Sequence, residues 1–74
     1  MPKTSKGDGI DALAKKAMKA PTSKEANAMI DKLGKYGWDA VDAIEEVVNQ
    51  TTLEAVRAHG LLVIRDIKRE DAQF

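Results

Sequence analysis

Few side chains in this sequence could do chemistry, and they do not form a recognisable site. The 74 residues include no cysteine and one histidine, His59, so thiolate nucleophiles, disulfides and cysteine zinc sites are excluded. A lone histidine in a helical pattern is more often a surface or half-buried residue than a metal ligand. Asp42, Glu45 and Glu46 resemble an acid–base pair only in residue type, because catalysis needs groups that converge from separate elements. The sequence therefore predicts no enzyme activity, no metal and no cofactor.

Two groups of basic side chains are candidates for binding an anionic partner. Arg57, Arg65 and Lys68 fall within about one face of a helix at roughly 3.6 residues per turn, and could grip a carboxylate or phosphate. Pairing with neighbouring acids on a solvated surface is the alternative for these three.

The second basic group, Lys15, Lys16 and Lys19, lies in the first predicted helix and suits a phosphate backbone. Lysines act there as point charges and give salt-sensitive affinity that ignores base sequence. Residues 1–37 hold eight lysines against four acids, and residues 38–74 hold four bases against eight acids, with zero net charge. Such segregation can guide head-to-tail assembly or form a modest basic patch, but the chain lacks the strong basicity typical of a nucleic-acid binder.

Trp38 lies in a predicted turn and is a third candidate for partner binding. Aromatic anchors are favoured at binding hot spots, so an exposed Trp38 would mark an interface. A Trp38 that fills the junction between neighbouring helical hairpins is the structural alternative.

Apolar residues recur at helical spacing in four segments of the chain. Pro21 ends the first segment, and Gly34 with Gly37 supplies positive-φ positions after the second. The predicted helices span approximately residues 9–19, 23–35, 38–49 and 53–68. The predicted apolar face of the fourth helix consists of Leu53, Val56, Gly60, Leu61, Val63, Ile64 and Ile67.

Two hydroxyl residues are predicted to start helices as parts of capping boxes. Thr22 is followed three residues later by Glu25, and Thr51 is followed three residues later by Glu54. In this motif the hydroxyl accepts a hydrogen bond from a first-turn amide, and the glutamate bonds back to the cap amide.

The length of the chain predicts one domain with little stability to spare. We expect a flexible lead-in over residues 1–8, a helical domain over 9–70 and a frayed tail over 71–74. No apolar run approaches the roughly 20 residues of a membrane span, and the first residues lack the apolar stretch of a signal peptide. A soluble cytoplasmic protein, reinforced by forming a homodimer, is therefore expected.

The fold class predicted by this pattern is all-α, with two antiparallel helical hairpins joined by short links. Residues 10–13 and 41–44 share the order apolar, Asp, Ala, apolar at a separation of 31. A period near 30 is typical of solenoids in which each helical pair packs on its neighbour. A compact four-helix bundle is the alternative.

Residues 25–69 resemble HEAT-like helical repeats. In residues 33–44 a leucine-glycine helix end leads through a glycine turn to an alanine-hydrophobic pair, and Val56-Arg57 resembles the valine-arginine of these repeats. Gly60 and Ile64 stand where the family tends to have alanine and leucine. The chain departs from the pattern at Trp38, which replaces the usual proline, and at residues 49–52, which lack the usual loop acid.

The resemblance implies a non-catalytic interaction module or small scaffold that binds a protein partner of unknown identity. Two repeats are few for such an array, so an apolar flank should stay exposed and support self-association as a dimer. The alternative function is a small nucleic-acid-associated regulator that uses the lysine-rich first half.

Overall fold

The computed structural model describes residues 6–72, with side chains for residues 9–70, and every regular element in that range is helical. The prediction of an all-α fold with four main helices is therefore confirmed. The elements are α1 (Lys6–Lys19), α2 (Ser23–Gly34), a 3₁₀ turn (Gly37–Ala40), α3 (Val41–Gln50) and α4 (Glu54–Ala72).

Both outer helices extend beyond their predicted ends. Helix α1 begins at Lys6, inside the predicted lead-in. Glycine lowers helix propensity, but Gly9 has a packing role, because a Cβ there would lie 2.6 Å from the hydroxyl oxygen of Tyr36. Helix α4 continues to Ala72, inside the predicted tail. The remainder of those two predictions, residues 1–5 and 73–74, lies outside the described residues.

In the connection between α2 and α3, the prediction of a positive φ is confirmed at Gly37 and wrong at Gly34. Gly37 has a φ of 67°, in the left-handed region that favours glycine. Gly34 was predicted to share this role, but it is the last residue of α2. A Cβ on Gly34 would lie 2.9 Å from the Cγ1 atom of Val63, so its missing side chain serves close packing against α4. Trp38 belongs to the 3₁₀ turn, and α3 starts only at Val41.

One of the two predicted hydroxyl caps forms. The Thr22 side chain accepts a hydrogen bond from the amide of Glu25 at 3.2 Å and caps α2. Thr51 instead ends α3, where its amide donates to the carbonyl of Val47, and its hydroxyl accepts from the amide of Leu53 at 3.1 Å. The prediction of a cap at Thr51 was wrong because its hydroxyl closes a two-residue turn before α4 begins.

The four helices form two hairpins stacked side by side. Helix α1 packs on α2 and α3 packs on α4, while the hairpins meet through α2 against α4 and α1 against α3. An up-and-down ring would instead pair α2 with α3 and α1 with α4 as its main neighbours. The chain forms a slab of 36 × 31 × 17 Å.

The buried positions repeat from the first hairpin to the second with a period of 30 residues, one fewer than the residue types suggested. Many of the buried side chains are small, so the core gains contact by close approach of backbones more than by large side chains. The buried pairs at this separation are Ile10 and Ala40, Ala14 and Ile44, Ala17 and Val47, Ala26 and Val56, and Ile30 and Gly60.

At Gly60, α4 packs closely against α3 and α2. A Cβ on Gly60 would overlap the Cγ2 atom of Val48 and would lie 3.6 Å from Ile44 and 3.7 Å from Ile30. Val48 cannot move aside easily, because a β-branched side chain in a helix has one strongly preferred rotamer. The packing of α4 on α3 within the second hairpin therefore depends on the absence of a side chain at residue 60, where α4 also contacts Ile30 of the first hairpin.

We predict that Gly60→Val lowers the free energy of unfolding by about 1–3 kcal/mol through overpacking. Helix propensity alone predicts a small gain, because valine forms helices better than glycine. The matched control is Ala58→Val at an exposed position of the same helix, where the change should stay within about 0.5–0.7 kcal/mol. Urea unfolding followed by circular dichroism measures both variants. A Gly60→Val protein as stable as the parent would contradict this account of the packing.

Candidate protein-binding surface

A groove lies between α1 and α2, on the side of the first hairpin that faces away from the second, and its lining residues come from the first hairpin and its connecting turn. Its volume is about 640 Å³, within the range of binding pockets. We call it the α1–α2 groove. Its apolar lining is Ala12, Ala20, Pro21, Ala28 and Met29, and its polar lining is Lys15, Lys16, Lys19 and Glu25.

The groove follows from small side chains on two neighbouring helices. Ala12 on α1 and Ala28 on α2 are exposed, and their methyl groups leave space between the helices that larger side chains would fill. Met29 is partly buried and packs against the core beneath. Its flexible thioether chain can adapt to an incoming apolar group.

The lysines predicted as a nucleic-acid site come together at this groove. Lys15, Lys16 and Lys19 are all exposed and line the groove from the α1 side. The structure therefore groups three of the predicted residues around an apolar surface, which the sequence reading had not anticipated. Exposed alanines at helical spacing beside lysines were the available signal.

The other predicted basic group does not act as one unit. The Arg57 guanidinium donates a hydrogen bond to the carbonyl of Thr51 at 3.2 Å and lies 3.6 Å from a carboxylate oxygen of Glu54. Arg57 therefore holds the turn between α3 and α4. Arg65 and Lys68 are exposed on α4 and remain candidates for contact with a partner.

Trp38 is 49% exposed and lies outside the buried core. The packing role at this turn belongs to Tyr36, which contacts the core and lies against Gly9. Trp38 therefore stays a candidate for partner contact.

Leu61 had been predicted to lie on the buried face of the fourth helix, but it is 53% exposed. Helix α2 packs on the side of α4 that carries His59 and Val63. Leu61 is two residues from each, which is about 160° around a helix. It therefore faces away from the first hairpin. Arg65 and Lys68 follow at spacings of four and seven residues and continue the same stripe, which we call the Leu61 flank.

His59 connects the two hairpins and does not line the α1–α2 groove. Its Nε2 atom lies 2.6 Å from a carboxylate oxygen of Asp31, so the pair joins α4 to α2. Within the part of the chain that the structure describes, no three acidic, histidine or cysteine side chains are grouped to hold a metal ion. No helix between residues 6 and 72 has the length and apolarity needed to cross a membrane.

No known protein family, curated protein or solved structure matches this chain. Functional inference therefore rests on the groove, the Leu61 flank and the stacking of the hairpins.

We predict a measurable coupling between His59 and Asp31. A double-mutant cycle with His59→Ala and Asp31→Ala should give about 0.2–1 kcal/mol, since the Asp31 side chain is 62% exposed and solvent weakens the pair. Arg57 and Glu54, 3.6 Å apart on the surface, form a control pair with an expected coupling of at most about 0.5 kcal/mol. Urea unfolding of the parent and the six variants of the two cycles provides the data. No coupling for His59 and Asp31 would exclude the pair as a link between hairpins.

Proposed function

We propose that this protein is a non-catalytic interaction module that binds a segment of another protein chain in the α1–α2 groove. The observation that carries the proposal is an apolar groove of about 640 Å³ edged by three exposed lysines. Such a surface suits an amphipathic helix with apolar residues on one face and acidic residues beside them.

Each part of the groove makes a separate contribution to this ligand preference. Ala28 and Met29 offer apolar area whose removal from water is favourable by roughly 25 cal/mol per Å². Lys15, Lys16 and Lys19 offer ammonium groups to carboxylates, which speeds association and selects against basic segments. A ligand that is both apolar and acidic uses both contributions.

The stacked hairpins also support the proposal that the chain is a pair of HEAT-like repeats. The hairpins meet helix to equivalent helix, and their buried positions recur every 30 residues. Chains of stacked hairpins present extended surfaces to partners. Self-association belongs to this proposal, because each end of a short stack lacks the neighbour that would cover it. The absence of cysteine fits a cytoplasmic location.

A second candidate function is nucleic-acid binding, which the grouping of Lys15, Lys16 and Lys19 favours. Affinity of that kind depends on the lysines and on salt, and it does not use the apolar lining. The two candidates therefore respond differently to changes in the alanines of the groove.

The test compares a helical peptide carrying leucines on one face and glutamates beside them with a mixed-sequence DNA duplex. We expect Ala28→Gln to weaken peptide binding by about fivefold or more, roughly 1 kcal/mol, because it places a long polar side chain in the groove. Replacing Lys15, Lys16 and Lys19 together with alanine should weaken it further. Fluorescence anisotropy at two salt concentrations measures both ligands.

Leu62→Gln is the matched control, since Leu62 is 50% exposed on α4 and outside the groove; it should leave peptide affinity unchanged. If the Ala28→Gln variant binds the peptide with the same affinity as the parent, binding in the groove is refuted. DNA affinity that is lost in the triple lysine variant but kept in Ala28→Gln would favour the second candidate.

A further inference from the structure

We propose that the segment bound in the α1–α2 groove is the outer side of the second hairpin of another copy, so that chains stack head to tail. This inference rests on the proposed function of the groove as a docking surface. Its partner is a second copy of this chain, which presents the Leu61 flank of α4 and the exposed acids of α3.

The first argument comes from the period of 30 residues. Inside the chain, α2 meets α4 where Asp31 contacts His59. Adding 30 to Asp31 gives Leu61, and subtracting 30 from His59 gives Met29. If a second copy continues the stack, Leu61 of one copy therefore meets Met29 of the next. Both side chains are apolar, and Met29 lines the groove.

The exposure of Leu61 gives the second argument. A leucine that is 53% exposed on the outer stripe of a terminal hairpin contributes little to the stability of a single chain. If Leu61 packed against Met29 and Ala28 of the next copy, apolar surface would be removed from water on both copies. Inside the chain this position of the stack holds the polar pair Asp31 and His59. Between copies the equivalent position would hold the apolar pair Leu61 and Met29.

Charge gives the third argument. Helix α3 packs on α1 within the chain, so continued stacking would place α3 of one copy beside α1 of the next. Asp42 and Glu45 are exposed on α3, and Glu45 lies three residues before Val48, on the side of α3 that faces α4. These acids would lie opposite Lys16 and Lys19, which line the groove. Opposite charges at the two ends favour a head-to-tail contact.

The experiment uses three variants of the full chain, each altered only at exposed positions. The groove variant is Ala12→Lys/Ala28→Lys, at two exposed positions of the groove lining, and the flank variant is Glu45→Lys/Leu61→Lys. The two altered surfaces both gain positive charge, so they cannot restore the contact to each other. The control is Glu46→Lys/Leu62→Lys, which makes the same charge change at the adjacent positions. Circular dichroism checks that each variant keeps its helices, and sedimentation velocity measures mass at chain concentrations up to about 1 mM.

We expect the mass of the parent to grow with concentration beyond two chains, and to fall when the salt is raised from about 0.05 to 0.5 M because screening weakens exposed charges. The control should assemble like the parent. The groove variant and the flank variant should each be monomeric alone. Mixed together they should form a 1:1 pair that grows no further, because each retains one intact surface.

Three results would overturn head-to-tail stacking: a parent that stays monomeric, a dimer that grows no further, or a mixture of the two variants that stays monomeric. The acidic peptide separates this failure from failure of the proposed function. A monomeric parent that binds the peptide in the groove refutes stacking and keeps the docking function, whereas a monomeric parent that binds no peptide refutes both. Where stacking holds, the peptide should dissociate the assembly by competing for the groove.

Discussion

The close approach of α4 to α2 and α3 at Gly60 is the constraint on which the rest of the fold depends. At this residue the absence of a Cβ lets the backbone of α4 reach Val48, Ile44 and Ile30 together. Gly34 allows a second close approach, where Val63 of α4 lies against α2. With the helices this close, small residues can complete the core, and a wider separation would leave cavities that destabilise the chain.

A core built this way is thin, because each hairpin is covered by the other on one side only. Each hairpin buries one side against the other, and its outer side has no neighbouring helix among residues 6–72. On the first hairpin that side is the α1–α2 groove, and on the second it is the Leu61 flank. A chain of 74 residues has little stability in reserve, so contacts made at either end add to a small total. A partner that bound either end of the folded chain would therefore raise its stability by mass action.

Helical periodicity was enough to predict the four helices, their order and their pairing in hairpins, because local spacing determines which residues share a face. It could not place the ends of α1 and α4. Helix α1 continues through Gly9 despite the low helix propensity of glycine, and Tyr36, which is distant in sequence, lies against that residue. It also misassigned Leu61, whose exposure depends on which side of α4 receives α2. The groove was not predicted for a similar reason. Alanine in a sequence indicates only a good helix former, and the packing of two helices is needed to show that Ala12 and Ala28 line a groove. The grouping of Lys15, Lys16 and Lys19 was predictable from their spacing alone.

The chemical difference between the two ends decides how copies can meet. An isologous contact between two α1–α2 grooves would set Lys15, Lys16 and Lys19 against the same three lysines, and like charges in contact are costly. An isologous contact between two Leu61 flanks would similarly face Arg65 and Lys68 with themselves. A heterologous contact brings the lysines of α1 near the exposed acids of α3 instead of near other lysines. It also pairs the apolar part of one end with the apolar part of the other. Heterologous contacts do not close after two chains unless the rotation between copies makes a ring. In the proposed assembly, the twist between the two hairpins of one chain would be repeated between chains and would set whether a ring or a filament forms.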